Sequence, residues 1–377
     1  MKERDMVHGW LKEADIEPNG SRPWDIQIHN EKLYQRVLAQ GSLGFGEAYM
    51  DGWWDAEKLD ELLSKLLSSG IDKKVMNWRT ALYAAKAVVV NLGSRGRAFD
   101  IGEHHYDTGN ELYKRMLDPR MTYTCGYWNG GAQTLEEAQE AKLDLICKKL
   151  RLEPGMRLLD IGGGWGSLTI FAAERYGVEA VNVTVSKEQL ALGQQKAEER
   201  GVADKVEMRY QDYRAVDDGP YDRIASVGMF EHVGYKNYRD FMEVAYRLLK
   251  EEGLFLLHTI GGNKSVKTTD RWIGTYIFPN SMLPSVAQIG AAMEHLFVME
   301  DWHNFGPNYD TTLMEWYKNF HAAWPELEKT GKYDERFMRM WDFYLMSSAA
   351  SFRVRNIQLW QVLLSKGRIP GGLTRIS

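Results

Sequence analysis

The stretch RLLDIGGGWGSLTIFAAERYG, residues 157–177, sets four glycines, Gly162, Gly163, Gly164 and Gly166, between an apolar run and an amphipathic one. Residues 157–161 read as a short buried strand, and Leu168, Ile170, Phe171, Ala172 and Tyr176 fall on one side of the helix that follows. A strand, a glycine turn and a helix make the first half of a βαβ unit. Glycine permits backbone angles closed to other residues and lets a ligand approach the main chain, so the turn reads as a cofactor platform.

The spacing of the glycines narrows the cofactor. Gly162-x-Gly164-x-Gly166 departs from the G-x-G-x-x-G of dinucleotide sites, whose third glycine would fall at Ser167. The acidic residue that such sites place about 20 positions further on to hold a ribose is missing too, with Asn182 and Thr184 in that stretch. A nicotinamide oxidoreductase is disfavoured on both counts. Asp160 completes D-x-G-x-G-x-G instead, the pattern of S-adenosylmethionine-dependent methyltransferases, in which the glycines admit the methionine moiety and the carboxylate organises the loop.

Outward from this unit the βα alternation continues, with strands over 179–185, 205–210, 221–228 and 253–260 and helices over 166–176, 187–200 and 238–250. Such alternation predicts a mostly parallel sheet with helices on both faces. The segment 261–295 is longer than a usual connection and is expected to cover the substrate. LFVMEDWHNFG and IQLWQVLLSKG then close the sheet as an antiparallel pair with two helices between them. Upstream, EKLYQRVLAQ and KLDELLSKLLSSG have apolar residues at helical spacing on either side of the glycine-rich GSLGFGEAYMDGWWD, and NLGSRGRAFDIGEHHYDTGN breaks the pattern as a linker. The expected organisation is a small helical N-terminal domain over 1–92, a linker over 93–108 and a catalytic α/β domain over 109–377, a Rossmann-like S-adenosylmethionine-dependent methyltransferase sheet.

At 377 residues and 44% hydrophobic content the chain can bury a substantial core. Its thirteen tryptophans and nineteen tyrosines fit either a heavily aromatic core or a site for a lipid, a cation or a large apolar ligand. A net charge of −5 argues against nucleic acid as a partner. Cys125 and Cys147 are far apart and lack CxxC spacing, which suits a reducing cytoplasm better than a disulfide framework or a zinc site. His104 and His105 are adjacent without a spaced third ligand, so no metal is expected. The N-terminal MKERDMVHGWLKEAD is too polar for a secretory signal. The apolar run from Ala81, interrupted by Lys86, is shorter than the roughly 20 residues of a spanning helix. With Lys73, Lys74, Arg79, Arg95 and Arg97 around it, that run suits a helix lying on an anionic bilayer or one packed between domains.

Ligands of open α/β sheets gather at the carboxyl ends of the strands. The chemistry-bearing residues at those ends are Glu231 and His232 in VGMFEHVG, His258 and Ile260 in LLHTIGG, and His303 and Tyr309 in WHNFGPNYDTT, with Tyr123, Thr124 and Cys125 upstream in MTYTCGYW. Taken in order, HYDTGNELYKRMLDPRMTYTCGYW, LLDIGGGWGSL, VTVSKEQ, QDYR, SVGMFEHVG, FLLHTIG, YIFPN, MEDWHNFGPNYDTTL and IQLWQV resemble the motifs of bacterial cyclopropane fatty acid synthases, relatives of the mycolic acid cyclopropane synthases. GSLGFGEAYMDGWW resembles the long bacterial form.

The resemblance implies transfer of a methylene group from S-adenosylmethionine to the cis double bond of unsaturated acyl chains in a phospholipid bilayer. It further implies a homodimer, cytoplasmic and peripheral to the inner face of the membrane, that holds bicarbonate as the base. Methyl transfer to an alkene leaves a carbocation, which aromatic faces stabilise, and a proton must leave as the ring closes. The implied anion cradle is Cys125, Glu231, His258, the Ile260 backbone and Tyr309. The implied cofactor contacts are Tyr123, Thr124, Asp160, Gly162, Gly164, Gly166, Thr184, Gln189, Asp212 and Tyr213. Two positions depart from the family: Gly163 stands where a cysteine is common, and Ser348 stands where some relatives carry a cysteine, so a thiolate there is not expected. A methyltransferase whose product is a methylated or hydroxylated chain is the nearest alternative, and a non-catalytic lipid-binding protein a more distant one.

Overall fold

The computed structural model describes residues 2–71 and 109–376, which divide into two compact units. The first takes in the described residues of Met1–Val90 together with Lys267–Pro279 and Tyr309–Ile357. The second holds those of Asn91–Val266 with Asn280–Asn308 and Gln358–Ser377. The unit that carries the N-terminal helices thus also draws on two stretches from the C-terminal half. The linker expected over 93–108, the basic apolar run from Ala81 with Lys73, Lys74 and Arg79, and the pair His104 and His105 lie outside the described residues.

The N-terminal part consists of α1 (Lys2–Glu13), α2 (Lys32–Gln40), α3 (Ser42–Met50) and α4 (Leu59–Ser69), with the short strands β1 (Gln27–Ile28) and β2 (Trp54–Asp55) paired antiparallel. The glycine-rich stretch between the two amphipathic helices is itself the helix α3, and its glycines serve close approach. A Cβ on Gly44 would stand 2.6 Å from the Arg36 carbonyl oxygen, and one on Gly46 would overlap the Trp272 indole. Trp54 is fully buried and stacks on Phe45 at 4.3 Å, with Phe343 edge-on to it. Part of the aromatic excess is therefore ordinary core.

The chain continues through α5 (Asn110–Met116), α6 (Leu135–Lys149), β3 (Arg157–Ile161), α7 (Ser167–Tyr176), β4 (Glu179–Thr184), α8 (Lys187–Glu199), β5 (Val206–Tyr210), β6 (Tyr221–Val227), α9 (Tyr238–Leu248) and β7 (Leu249–Gly262). After these come α10 (Arg271–Tyr276), α11 (Val286–Met293), β8 (Val298–Asn304), α12 (Pro307–Glu328), α13 (Glu335–Arg353) and β9 (Ile357–Ser365). Among the described residues, seven strands form one sheet in the order β5-β4-β3-β6-β7-β9-β8. The strands from β5 to β7 pair in parallel, and β8 pairs antiparallel with β9, as the sequence pattern predicts. One difference is that β7 starts directly after α9, because Leu249 already pairs with Tyr221 across a register shift.

Alternation along the strands explains the two cores. Leu159 and Ile161 of β3 face one side with Val181, Ile224, Phe255 and Leu257, covered by Phe241 and Ala245 of α9 and Ile289 of α11. Leu158, Ala180, Ala225, Leu254 and Leu256 face the other, covered by Leu143 and Ile146 of α6 and Leu168 and Phe171 of α7. Successive side chains of a strand point to opposite faces, and a parallel sheet covered on both faces needs both sets apolar. The order reverses at β3: the chain runs outward to β4 and β5, then returns to β6 on β3's other side. Such a switch point leaves a crevice at the carboxyl ends of the two strands.

Candidate active site

The glycine loop opens at that crevice. Gly162, Gly164 and Gly166 have φ of 78°, 58° and 82°, in the left-handed region that favours glycine. Gly164 has the most room of the three, since a Cβ there would make ordinary contact with the Gln189 amide at 3.6 Å, whereas one on Gly162 would overlap Met229. Asn182 secures the loop by donating from Nδ2 to the Gly164 carbonyl at 3.2 Å. On the next strand the Thr184 hydroxyl donates to Gln189 Oε1 at 2.7 Å, and Ser186 caps α8 by accepting from the Gln189 N–H. Asp160 is buried, its Oδ1 has no hydrogen-bond partner among the described residues, and burial pushes its carboxyl up to about 7 against the pull of Lys142. Gly163 makes this arrangement sterically tolerable: any Cβ there would overlap both Asp160 and Asn182.

The segment upstream of α6 is bound to the same end of the sheet. Ser167, which takes the place of a third glycine, donates its hydroxyl to the Arg120 carbonyl at 2.8 Å. Asp118 accepts from the Arg120 and Thr122 N–H groups. Gln139 Nε2 donates to the Thr124 carbonyl at 2.7 Å, and Lys142 Nζ donates to Thr124 Oγ1 at 2.8 Å. Tyr123 packs edge-on against Tyr113, and Cys125 is fully buried. Gly228, just past β6, lies so near Thr124 that a Cβ would come within 2.6 Å of its methyl group. Thr124 and Cys125 are thereby held against the β6 end of the crevice.

Glu231 sits in a short 3-10 turn after β6, and its Oε1 accepts the Ile260 N–H at 2.6 Å. Its Oε2 is buried without a partner among the described residues, and burial raises the carboxyl to about 7. His258, near the end of β7, is buried and held neutral by desolvation, with the cations Lys142 and Lys149 adding to the effect. Gln361 on β9 donates from Nε2 to His258 Nδ1 at 3.3 Å, which puts the ring proton on Nε2. That Nε2 also lacks a partner among the described residues. Glu231 and His258 therefore present an unused buried acceptor and an unused buried donor, past the ends of adjacent strands.

Other sequence candidates are placed differently. Tyr309 belongs to the first unit, where its ring stacks on Phe352 at 4.6 Å, and its expected part in the cradle rests on the resemblance. Asp212 turns both carboxylate oxygens onto the Arg214 guanidinium at 2.8 and 2.6 Å. Tyr213 is buried edge-on to Phe241. His303 faces Lys149, with Nζ to Nδ1 at 2.9 Å. Sequence reasoning missed Gln139, Lys142 and Gln361. A signal for the first two was present: they share the buried stripe of α6 with Leu135, Ala138, Leu143 and Ile146, where a charged residue without a task is rare.

A glycine loop at the switch point of a sheet in this order defines the fold of the S-adenosylmethionine-dependent methyltransferases. Coclaurine N-methyltransferase bound to N-methylheliamine and SAH superposes with a TM-score of 0.70 at 20% identity, covering 85% of this chain and 98% of that one. At closer range, residues 94–362 match the family described as mycolic acid cyclopropane synthetase, and the chain belongs to it. It is 52% identical over 358 residues to the cyclopropane-fatty-acyl-phospholipid synthase of Escherichia coli K12, covering 95% of this chain and 92% of that protein. Mycolic acid cyclopropane synthase CmaA1, crystallised with SAH and CTAB, aligns at 33% identity and a TM-score of 0.66, covering 71% of this chain and 98% of that one. The tuberculostearic acid methyltransferase UfaA1 of Mycobacterium tuberculosis is 33% identical over 351 residues, covering 89% of this chain and 81% of that protein. The protein is thus an S-adenosylmethionine-dependent methyltransferase.

Proposed function

We propose that this enzyme forms cyclopropane rings in phospholipids, transferring a methylene group from S-adenosylmethionine to the cis double bond of an unsaturated acyl chain, with bicarbonate as the base. The observation that carries the lipid reading is the 52% identity to the Escherichia coli synthase across 95% of this chain, which extends well beyond the methyltransferase sheet. The enzyme would meet its substrate at the inner face of the membrane, as a homodimer; among the described residues no helix is long and apolar enough to cross a bilayer.

The residues present fit both small ligands. S-adenosylmethionine supplies an electrophilic methyl group on a sulfonium. The room at Gly164 would admit it to the backbone, with Thr184 and Gln189 beside that position as a hydrogen-bonded pair and Tyr123 and Thr124 as the contacts that the resemblance implies from the upstream segment. A small anion that carries both acceptor oxygens and a hydroxyl, as bicarbonate does, matches the unused His258 Nε2–H donor and the unused Glu231 Oε2 acceptor. Held there it would supply the base that takes the proton as the ring closes. Glu231, tethered to the Ile260 N–H at 2.6 Å, holds the anion instead of approaching the cation, where a carboxylate would be alkylated.

The base is tested by assaying turnover on vesicles of unsaturated phospholipid in carbonate-depleted buffer. Activity should fall and return on addition of bicarbonate; full activity without carbonate would leave Glu231 as the better base. A second reading, a methyltransferase that leaves a methylated chain, draws on the 33% identity to the tuberculostearic acid methyltransferase, and analysis of the product separates the two.

A further inference from the structure

Lys142 is fully buried in the middle of α6, and its ammonium has no ion-pair partner within 4.0 Å among the described residues. Its one hydrogen bond there goes to Thr124 Oγ1 at 2.8 Å. The carboxylates whose charge reaches it are Asp118 and Asp160, and Cys125 is the other group acting on it; His258 in turn feels its charge. Asp118 is already committed to the Arg120 and Thr122 N–H groups. A buried ammonium with two unused protons and no contact ion pair is costly, and this one holds Thr124, next to Cys125, at the β6 end of the crevice.

We propose that Lys142 is a positioning residue of the reaction: through Thr124 it fixes the Thr124–Cys125 segment, and its buried positive charge is the counter-charge against which the anion of the Glu231–His258 cradle is held. The inference rests on the bicarbonate reading above. The charges in the cradle itself disfavour an anion, since Glu231 is a carboxyl group and His258 is neutral. A cation in a medium of low dielectric attracts an anion far more strongly than one in water, and Lys142 and Lys149 are the cations that act on His258. Lys149 already has His303 at 2.9 Å and Asp301 at 3.7 Å, which leaves Lys142 as the one without a contact ion pair.

A consequence for pH follows. Burial lowers the Lys142 ammonium to about 8, with Asp118, Cys125 and Asp160 opposing the shift. The counter-charge should therefore fade as pH rises through about 8, below the range in which bicarbonate itself ionises.

The test titrates labelled bicarbonate onto the enzyme–S-adenosylhomocysteine complex by carbon-13 NMR, for the wild type and Lys142→Met, beside the bicarbonate dependence of turnover. Lys142→Met should weaken bicarbonate about thirtyfold or more, the lower end of what truncating one partner of a buried charge pair costs, and turnover should recover in part at high bicarbonate. Wild-type affinity should fall between about pH 7 and about pH 9 as the amine titrates, and more steeply than that of the variant, in which the Glu231 carboxyl, raised to about 7, still ionises. If the variant binds bicarbonate as the wild type does, or loses turnover at every bicarbonate concentration alike, the role assigned to Lys142 is overturned while the base stands. If the wild type neither binds bicarbonate nor responds to it, the base fails and the inference falls with it. Should Lys142→Met not fold, Lys142→Arg, which stays charged throughout, is titrated beside the wild type: a fall as steep as that of the wild type overturns the proposal, and so does a wild-type affinity constant across that range.

Discussion

Replacing Glu231 by glutamine should make the protein more stable in alkaline solution and far less active. The carboxyl is buried and raised from 4.5 to about 7 by desolvation, against the hydrogen bonds of the Ile260 and Glu231 N–H groups and the Thr259 hydroxyl, which lower it. Below pH 4.5 it is protonated in the folded and unfolded chains alike, and its ionisation costs nothing. Between 4.5 and 7 the unfolded chain gives up its proton first, so stability falls with rising pH; above 7 the whole penalty is present. At about 1.4 kcal/mol per pH unit that penalty is about 3 kcal/mol. Glutamine keeps an oxygen for the Ile260 N–H and never ionises. Urea denaturation at about pH 5 and about pH 8 should therefore show the advantage of the variant growing by up to about 3 kcal/mol over that interval. Turnover should fall by about a hundredfold or more, the size expected when proton transfer in a transition state is impaired, with S-adenosylhomocysteine still bound. A stability difference that is flat with pH, or a variant less stable than the wild type at about pH 8, would refute the assignment of a desolvated carboxylate.

Gly164→Val should fold but lose S-adenosylhomocysteine binding in calorimetry, because it places a β-branched side chain at a φ of 58° in the room that the loop leaves at that position; unchanged affinity would put the platform elsewhere. Gly163→Cys should cost about 1–3 kcal/mol of stability, the usual range for overpacking, since its Cβ would overlap Asp160 and Asn182; an unchanged melting temperature would show that the loop yields freely. Charge reversal at Lys73, Lys74 and Arg79 together should weaken co-sedimentation with anionic vesicles, most at low salt, and equal binding at low salt would favour a packed helix.

What the sequence made legible is what local patterning controls. The alternation of strands and helices from Arg157 to Gly262 is legible because each element announces itself in its own residues, apart from the early start of the last strand at Leu249; the strand order, and with it the switch point, comes from the fold. Residues next to strand ends, such as Glu231 and His258, could be singled out for the same reason. Partners drawn from distant elements could not: Gln361 reaches His258 from β9 across 103 positions. Nor does QDYR reveal that Arg214 occupies both oxygens of Asp212. Lys142 lay in plain view on an apolar stripe, but only the fold shows that its ammonium reaches Thr124. The helix α3 was obscured because glycine is a poor helix former, and its use there depends on Trp272, a residue far away in the chain.

The fate of the transferred carbon separates ring formation from simple methylation. Incubation with S-adenosylmethionine bearing a trideuterated methyl group and vesicles of monounsaturated phospholipid, followed by mass analysis of the acyl chains, follows each deuterium. Ring closure requires loss of one deuteron to the base, so cyclopropanation should give a chain that has lost its alkene and gained a single carbon carrying two deuterium atoms. A chain that retains all three, as a methyl branch, would contradict it.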